Sequence, residues 1–231
     1  MLSQYPLLNP PVPLECGSHA GTTNTFTVLE SPEQPCTRAL YRLSSMDPIL
    51  EPLARSVREA PVVDRDGYEY FVHGVSDGVP PIEPTVLRAI ADGIRQRVDL
   101  TDVDTLVAPE AMGIHHGTAL SLASELPLAV VRKRSYGFPD EVAVHQETSY
   151  GESDLFLNGV DPGDRVVLVD DVLSSGGTIE AVCEALEAAE AEIADVVVVL
   201  RRVDVPHEDL SREVTSLLDI RVRDGAVEIV E

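Results

Sequence analysis

Between Val166 and Thr178 the chain reads Val-Val-Leu-Val-Asp-Asp-Val-Leu-Ser-Ser-Gly-Gly-Thr. Four apolar residues in a row predict a strand buried on both faces, and ligands of open α/β sheets bind beyond the carboxyl ends of such strands. Asp170 and Asp171 stand there. Ser174, Ser175, Gly176, Gly177 and Thr178 follow, a run that can bend until successive N–H groups converge, with hydroxyls added and a helix N-terminus behind them. That suits a phosphate monoester. Two carboxylates beside a phosphate cradle repel the ligand unless they bind hydroxyls or a divalent ion, so the pair points to a sugar phosphate with Mg²⁺. A plain strand-to-helix turn or a receiver-type acidic pocket is the alternative; a receiver needs its acids spread over several strands.

A second cluster is cationic. Arg132-Lys133-Arg134 follows an apolar strand, Leu128 to Val131, and opens a long polar loop through Tyr150. Lys133 is the single lysine of the chain. Three cations gathered in an acidic protein point to an anionic ligand, against the alternative of a solvated turn. The histidines say less. His115 and His116 are adjacent, so their rings cannot easily share one metal, and no Cys or acid stands at ligand spacing; they read as helix-start residues. His73 and His145 are isolated and read as surface or core residues. No nucleophile elbow, zinc-protease motif or Walker loop occurs.

The elements that must position these groups are readable from periodicity. Asp47-Pro48 is a helix start, with Asp47 as N-cap and Ile49, Leu50, Leu53 and Val57 at helical spacing. A short hairpin is expected next, Val62-Val63 and Tyr68 to Val72 around Asp66-Gly67, then a helix from Pro84 to Val98. Strands at Thr105 to Ala108, Leu128 to Val131, Arg165 to Val169 and Val196 to Leu200 alternate with helices at His116 to Ser124 and Thr178 to Ala189. This order predicts an α/β fold, a mainly parallel sheet with helices on its faces. A closing hairpin is expected over Ile220 to Val230.

Composition limits the classes. The 231 residues carry 40 acids against 17 bases, a formal charge of −23, and sixteen of the bases are arginine. Such self-repulsion destabilises a fold in dilute buffer and is screened in molar salt, so a halophilic cytoplasm is expected. Nucleic acid is not an expected partner, because the surface repels phosphate. No long apolar run or secretory leader is apparent, so no membrane association is expected. Cys16, Cys36 and Cys183 make neither a disulfide framework nor a zinc cluster. Residues 1–45, with a Pro-Pro-Val-Pro run, read as a leader that does not fold alone or as sequence upstream of a true start at Met46; an arm on a partner subunit is the alternative.

The Val166–Thr178 segment resembles the phosphoribosyl-pyrophosphate (PRPP) loop of the type I phosphoribosyltransferases, and the likeness extends over most of Met46 to Val203. It implies that family's fold, with a hood at about 61–84 and a flexible catalytic loop at about 132–150. By resemblance Asp170 and Asp171 hold the ribose hydroxyls, and Ser174 to Thr178 cradle the 5′-phosphate. Glu110, Ala111, Met112 and Gly113, in Ala-Pro-Glu-Ala-Met-Gly, look like the loop that contacts pyrophosphate. Many members have a basic residue where this chain has Met112, so backbone N–H groups must serve there. Lys133 and Arg132, with Asp171, are the expected catalytic residues, and Mg²⁺ is expected on the pyrophosphate and ribose with no assigned protein ligand.

The layout is closest to the archaeal hypoxanthine/guanine subfamily and its haloarchaeal group. It implies purine salvage: transfer of the 5-phosphoribosyl group from PRPP to a nucleobase, giving a nucleotide and pyrophosphate, by a homodimer. Where many oxopurine enzymes carry a third acid, this chain has Ser174. Arg201 and Arg202 are the candidates for a 6-oxo group, with a structural ion pair as the other reading. Adenine or orotate is the rival base, and a non-catalytic sensor of PRPP or nucleotide the rival class.

Overall fold

The computed structural model describes residues 47–230, apart from 66–67, 149–150 and 207–209. The leader, the start at Met46 and the Asp66-Gly67 turn lie outside the described residues. Asp47 caps as expected: its Oδ1 accepts from the Ile49 N–H at 3.1 Å. A 3-10 turn over Pro48–Leu50 leads into α1 (Glu51–Arg58), which buries Leu53, Ala54 and Val57. Strands β1 (Val62–Arg65) and β2 (Tyr68–Phe71) form the expected antiparallel hairpin. A single helical turn, α2 (Gly74–Asp77), and the longer α3 (Pro84–Arg97) follow.

From Thr105 the chain alternates: β3 (Thr105–Pro109), α4 (Gly113–Ser124), β4 (Leu128–Val131), a hairpin of β5 (Val142–Thr148) and β6 (Gly151–Leu157), β7 (Arg165–Leu173), α5 (Gly177–Ala188), β8 (Glu192–Arg202), β9 (Thr215–Arg223) and β10 (Ala226–Val230). The main sheet has the order β10-β9-β8-β7-β3-β4, parallel except for β10. Both faces are covered, which is why its central strands are continuously apolar. Side chains alternate: Val167 and Val169 join the core with α1 and α3, whereas Val166 and Leu168 join that with α5 and the β5–β6 hairpin.

Two expectations need correction. β7 continues past Val169 to Leu173, so Asp170 and Asp171 lie within it. The reason is pairing rather than apolarity: β8 is eleven residues long and accompanies β7 as far as Leu173↔Arg201. Within the stretch expected to be a polar loop, the described residues before Val142 are irregular and Val142–Thr148 form a strand. Val142 and Val144 point to one face of the strand, apart from Ala143 and His145, and this half-buried face packs on the α5 side. Among the described residues no helix is long and apolar enough to cross a membrane.

Candidate active site

The carboxyl ends of β3 and β7, the start of α5 and the β1–β2 hairpin surround one cavity of about 290 Å³. Asp170 and Asp171 form its floor. The Asp170 carboxylate is buried and accepts from the Asp171 N–H at 2.9 Å. Burial pushes Asp170 up to about 6, partly offset by hydrogen bonding from Asp171 and by the Lys133 charge. Burial, then repulsion by Asp170, holds Asp171 well above the usual carboxylate range. The pair is thus desolvated and self-repelling, a state that hydroxyl donors or a cation relieve.

Ser174 and Thr178 border the cavity; Ser175 and Gly176 form the turn after β7, and Gly177 is the first residue of α5. Gly176 precedes α5 at φ +100, where an added Cβ would stand 2.7 Å from Leu210 Cδ2. Only glycine fits that bend. On the opposite wall Pro109, Glu110, Ala111 and Met112 line the cavity, and the Glu110–Ala111 peptide is cis. Gly113 begins α4 directly against β7.

The cations separate. Lys133 lines the cavity. Arg132 is held at the rim with its Nε 2.5 Å from Glu110 Oε2. Arg134 stands over the Tyr136 ring, 5.7 Å from its centroid. Glu141 gathers the intervening segment by accepting from the Tyr136 N–H and Asn158 Nδ2, both at 2.9 Å. Donation from Ser135, Asn158 and that backbone amide holds Glu141 down at about 2.

Arg201 and Arg202 also part, because neighbours in a strand face opposite ways. Arg201 forms a two-bond pair with Asp219 of β9, at 2.8 and 2.5 Å, so the ion-pair reading holds there. Arg202 borders the cavity, is buried, is gripped by Asp204 at 2.8 and 2.7 Å, and lies 5.7 Å from the Phe71 ring centroid.

The sequence alone did not single out Tyr70 and Phe71, which the hairpin brings to the cavity; α2 brings Ser76 there from the stretch expected to form the hood. Nor did it show a histidine cluster. His115 and His116 both place Nε2 3.1 Å from the Val75 carbonyl, fastening α2 to the first turn of α4. His73 is buried; its Nδ1 accepts from the Val75 N–H and its Nε2 meets Ser56 Oγ, both at 3.1 Å. The one legible signal was His73-Gly-Val-Ser-Asp77, a short capped turn.

The family model described as "Phosphoribosyl transferase domain" matches residues 82–221. The chain belongs to the phosphoribosyltransferase family. HGPRTase-like protein 3 of Haloterrigena turkmenica is 82% identical over 186 residues, covering 80% of this chain and all of that protein. HGPRTase-like protein 1 of Halalkalicoccus jeotgali is 54% identical over 179 residues, 77% of this chain and 98% of the relative. Among solved structures, adenine phosphoribosyltransferase of Thermoanaerobacter pseudethanolicus superposes with TM-score 0.61 at 22% identity, covering 74% of this chain and 99% of that one. The expected phosphoribosyltransferase fold and transferase class therefore hold, within the haloarchaeal HGPRTase-like group.

Proposed function

We propose that this phosphoribosyltransferase moves the 5-phosphoribosyl group from PRPP to a purine, with hypoxanthine or guanine as the acceptor, in a salvage reaction. One observation carries the reading: the Asp170–Asp171 pair, the Ser174–Thr178 turn, the Glu110–Met112 wall and Lys133 meet around a single cavity. The turn receives the 5′-phosphate through backbone N–H groups and the hydroxyls of Ser174 and Thr178. Asp170 and Asp171 accept from the ribose hydroxyls, which replaces the lost solvation that raises both carboxyls. Lys133, with Arg132 beside it, stabilises charge growing on the departing pyrophosphate. The base nitrogen attacks C1 as the bond to pyrophosphate breaks; the leaving group carries the electron pair, and the base gives up its N–H proton to water.

Among the described residues no group of three or more His, Cys, Asp or Glu is arranged to hold a metal. The donor set therefore fits an Mg²⁺ ion carried largely by substrate oxygens, with Asp170 and Asp171 as the carboxylates able to reach it. Bound there, it neutralises pyrophosphate charge.

Arg202 favours an oxopurine, since a guanidinium donates to a carbonyl and not to an amino group. Phe71 offers an apolar face beside it. The acidic, arginine-based composition and the Haloterrigena and Halalkalicoccus relatives support work in a salt-rich cytoplasm. We place the catalytic unit at 46–231, the length that the 186-residue relative matches, and assign a homodimer from the family likeness. Chromatography of nucleotide and pyrophosphate tests the proposal, with PRPP, Mg²⁺ and each of hypoxanthine, guanine, xanthine, adenine and orotate in molar KCl. Turnover of hypoxanthine or guanine, lost in Asp171→Ala, is the expected result. Saturable PRPP binding with no turnover of any base would instead assign a sensor.

A further inference from the structure

Glu110 lines the cavity on the wall where an anionic leaving group would lie, and a free carboxylate there opposes phosphate binding. Its charge is committed elsewhere. Glu110 Oε2 is 2.5 Å from Arg132 Nε, and that nitrogen is buried with no aligned hydrogen bond, so the carboxylate supplies its neutralisation. Backbone bonds fix both ends of the contact. The Glu110 N–H donates to Val131 O at 2.9 Å, while Arg132 exchanges N–H···O bonds with Phe156 at 2.9 and 2.7 Å. Arg132 is therefore the anchored root of the segment whose next residue, Lys133, lines the cavity.

We infer that Glu110 is a positioning residue that acts through Arg132, clasping the 109–113 turn to the root of the cationic segment so that Lys133 faces the diphosphate end of the cavity. The inference rests on the phosphoribosyl-transfer reading and adds a role that the resemblance did not assign. Without the clasp Arg132 loses the charged partner it has among the described residues, and backbone bonding such as Glu110 N–H to Val131 O is left to couple the two walls of the cavity. A carboxylate acting in this way is silent once its arginine is gone. One that touches metal or substrate is not.

The test is a double-mutant cycle in molar KCl with Glu110→Gln, Arg132→Ala and the double variant. Calorimetric titration with Mg²⁺-pyrophosphate reads binding apart from turnover, and steady-state kinetics gives KM separately for PRPP and base. Each single variant is expected to weaken pyrophosphate binding and raise KM for PRPP about tenfold, with KM for the base within about twofold of wild type. The double variant should be no weaker than Arg132→Ala alone. Additive losses would overturn the inference by giving Glu110 a contact of its own, and so would single variants that bind like wild type while melting earlier. Should Arg132→Ala fail to fold, Glu110→Asp, which keeps the charge but shortens its reach, must show a smaller loss in the same direction. A wild-type protein that binds neither PRPP nor pyrophosphate removes the phosphoribosyl-transfer reading itself. That outcome is separable, because it is read before any variant.

Discussion

Gly113, the first residue of α4, lies against the Asp170 carboxylate: a Cβ at Gly113 would stand 3.0 Å from Asp170 Oδ1, 3.0 Å from Val169 O and 2.9 Å from Pro109 Cδ. The turn that begins α4 and the strand that carries the acids meet with no room for a methyl group.

Gly113→Ala therefore forces a backbone shift where α4, β3 and β7 converge. Overpacking of this kind costs about 1–3 kcal/mol, and displacement of Asp170 should lower PRPP turnover by roughly ten- to a hundredfold, since a misplacement of about 1 Å can cost about 100-fold. Denaturation midpoints and turnover measured together check this. Unchanged turnover would show that the contact does not matter to the site.

The acid pair sets one pH dependence. Burial raises both carboxyls, Asp170 to about 6, so above about pH 4, the unfolded value, the folded chain binds more protons than the unfolded one until the pair ionises. Their contribution to stability is complete below the unfolded pKa and is lost as pH rises through the folded one. In the proposed reaction the ribose hydroxyls bind the ionised pair, so PRPP affinity should rise with pH as Asp170 ionises. Asp170→Asn should raise the melting point at pH 7.5 and abolish PRPP binding; a variant that melts lower there contradicts the desolvation argument.

His116 acts with the opposite sign. Burial, then repulsion from His115, pushes it down to about 3, so between that value and about 6.5 the folded chain binds fewer protons than the unfolded chain. Its contribution is complete above the unfolded pKa and is lost as pH falls toward the folded one, up to about 5 kcal/mol in the limit. His73 and His115, also lowered by burial, act in the same direction. His116→Gln keeps an amide donor for the Val75 carbonyl and removes the titration. Urea midpoints between pH 4 and 7 should rise less steeply with pH in the variant than in wild type.

Arg202 and Asp204 separate stability from recognition. Removing Asp204 leaves a buried guanidinium without its counter-charge, at about 3 kcal/mol. Arg202→Met leaves the Asp204 carboxylate, which is more exposed than the guanidinium and still accepts from the Val222 N–H at 3.2 Å, so its cost to folding should be smaller. Asp204→Ala should melt earlier than Arg202→Met. Arg202→Met should lose discrimination between hypoxanthine and adenine, read as the ratio of their kcat/KM values; an unchanged ratio would remove Arg202 from base selection.

Salt tests the composition directly. With a formal charge of −23, raising KCl from 0.1 to 2 M shortens the screening length about fourfold and should raise the melting point by roughly 10 °C, a few kcal/mol for a chain of this size. A flat profile would detach the arginine-for-lysine bias from salt adaptation.

The local signals proved reliable where one physical effect dominates. The apolar run before Asp170, the Asp47 cap and the Pro84 helix start each reflect short-range sterics or burial on both faces, and each formed within a few residues of its expected bounds. The β5–β6 hairpin was hidden because its alternation is half polar and the α5-side core that makes it a strand is distant in sequence. β7 outran its apolar run for a similar reason, since β8 supplies the ladder.

By itself, then, the sequence determined the α/β order, the acid pair, the Ser174–Thr178 turn and the cationic segment, because each is a short contiguous pattern that depends on neighbouring residues. Only the tertiary structure decided which cation lines the cavity and which is held by Glu110, that Arg202 and not Arg201 borders it, and that three histidines gather around Val75. Those outcomes depend on side-chain direction and on contacts between segments far apart in the chain, and spacing along a sequence does not specify either.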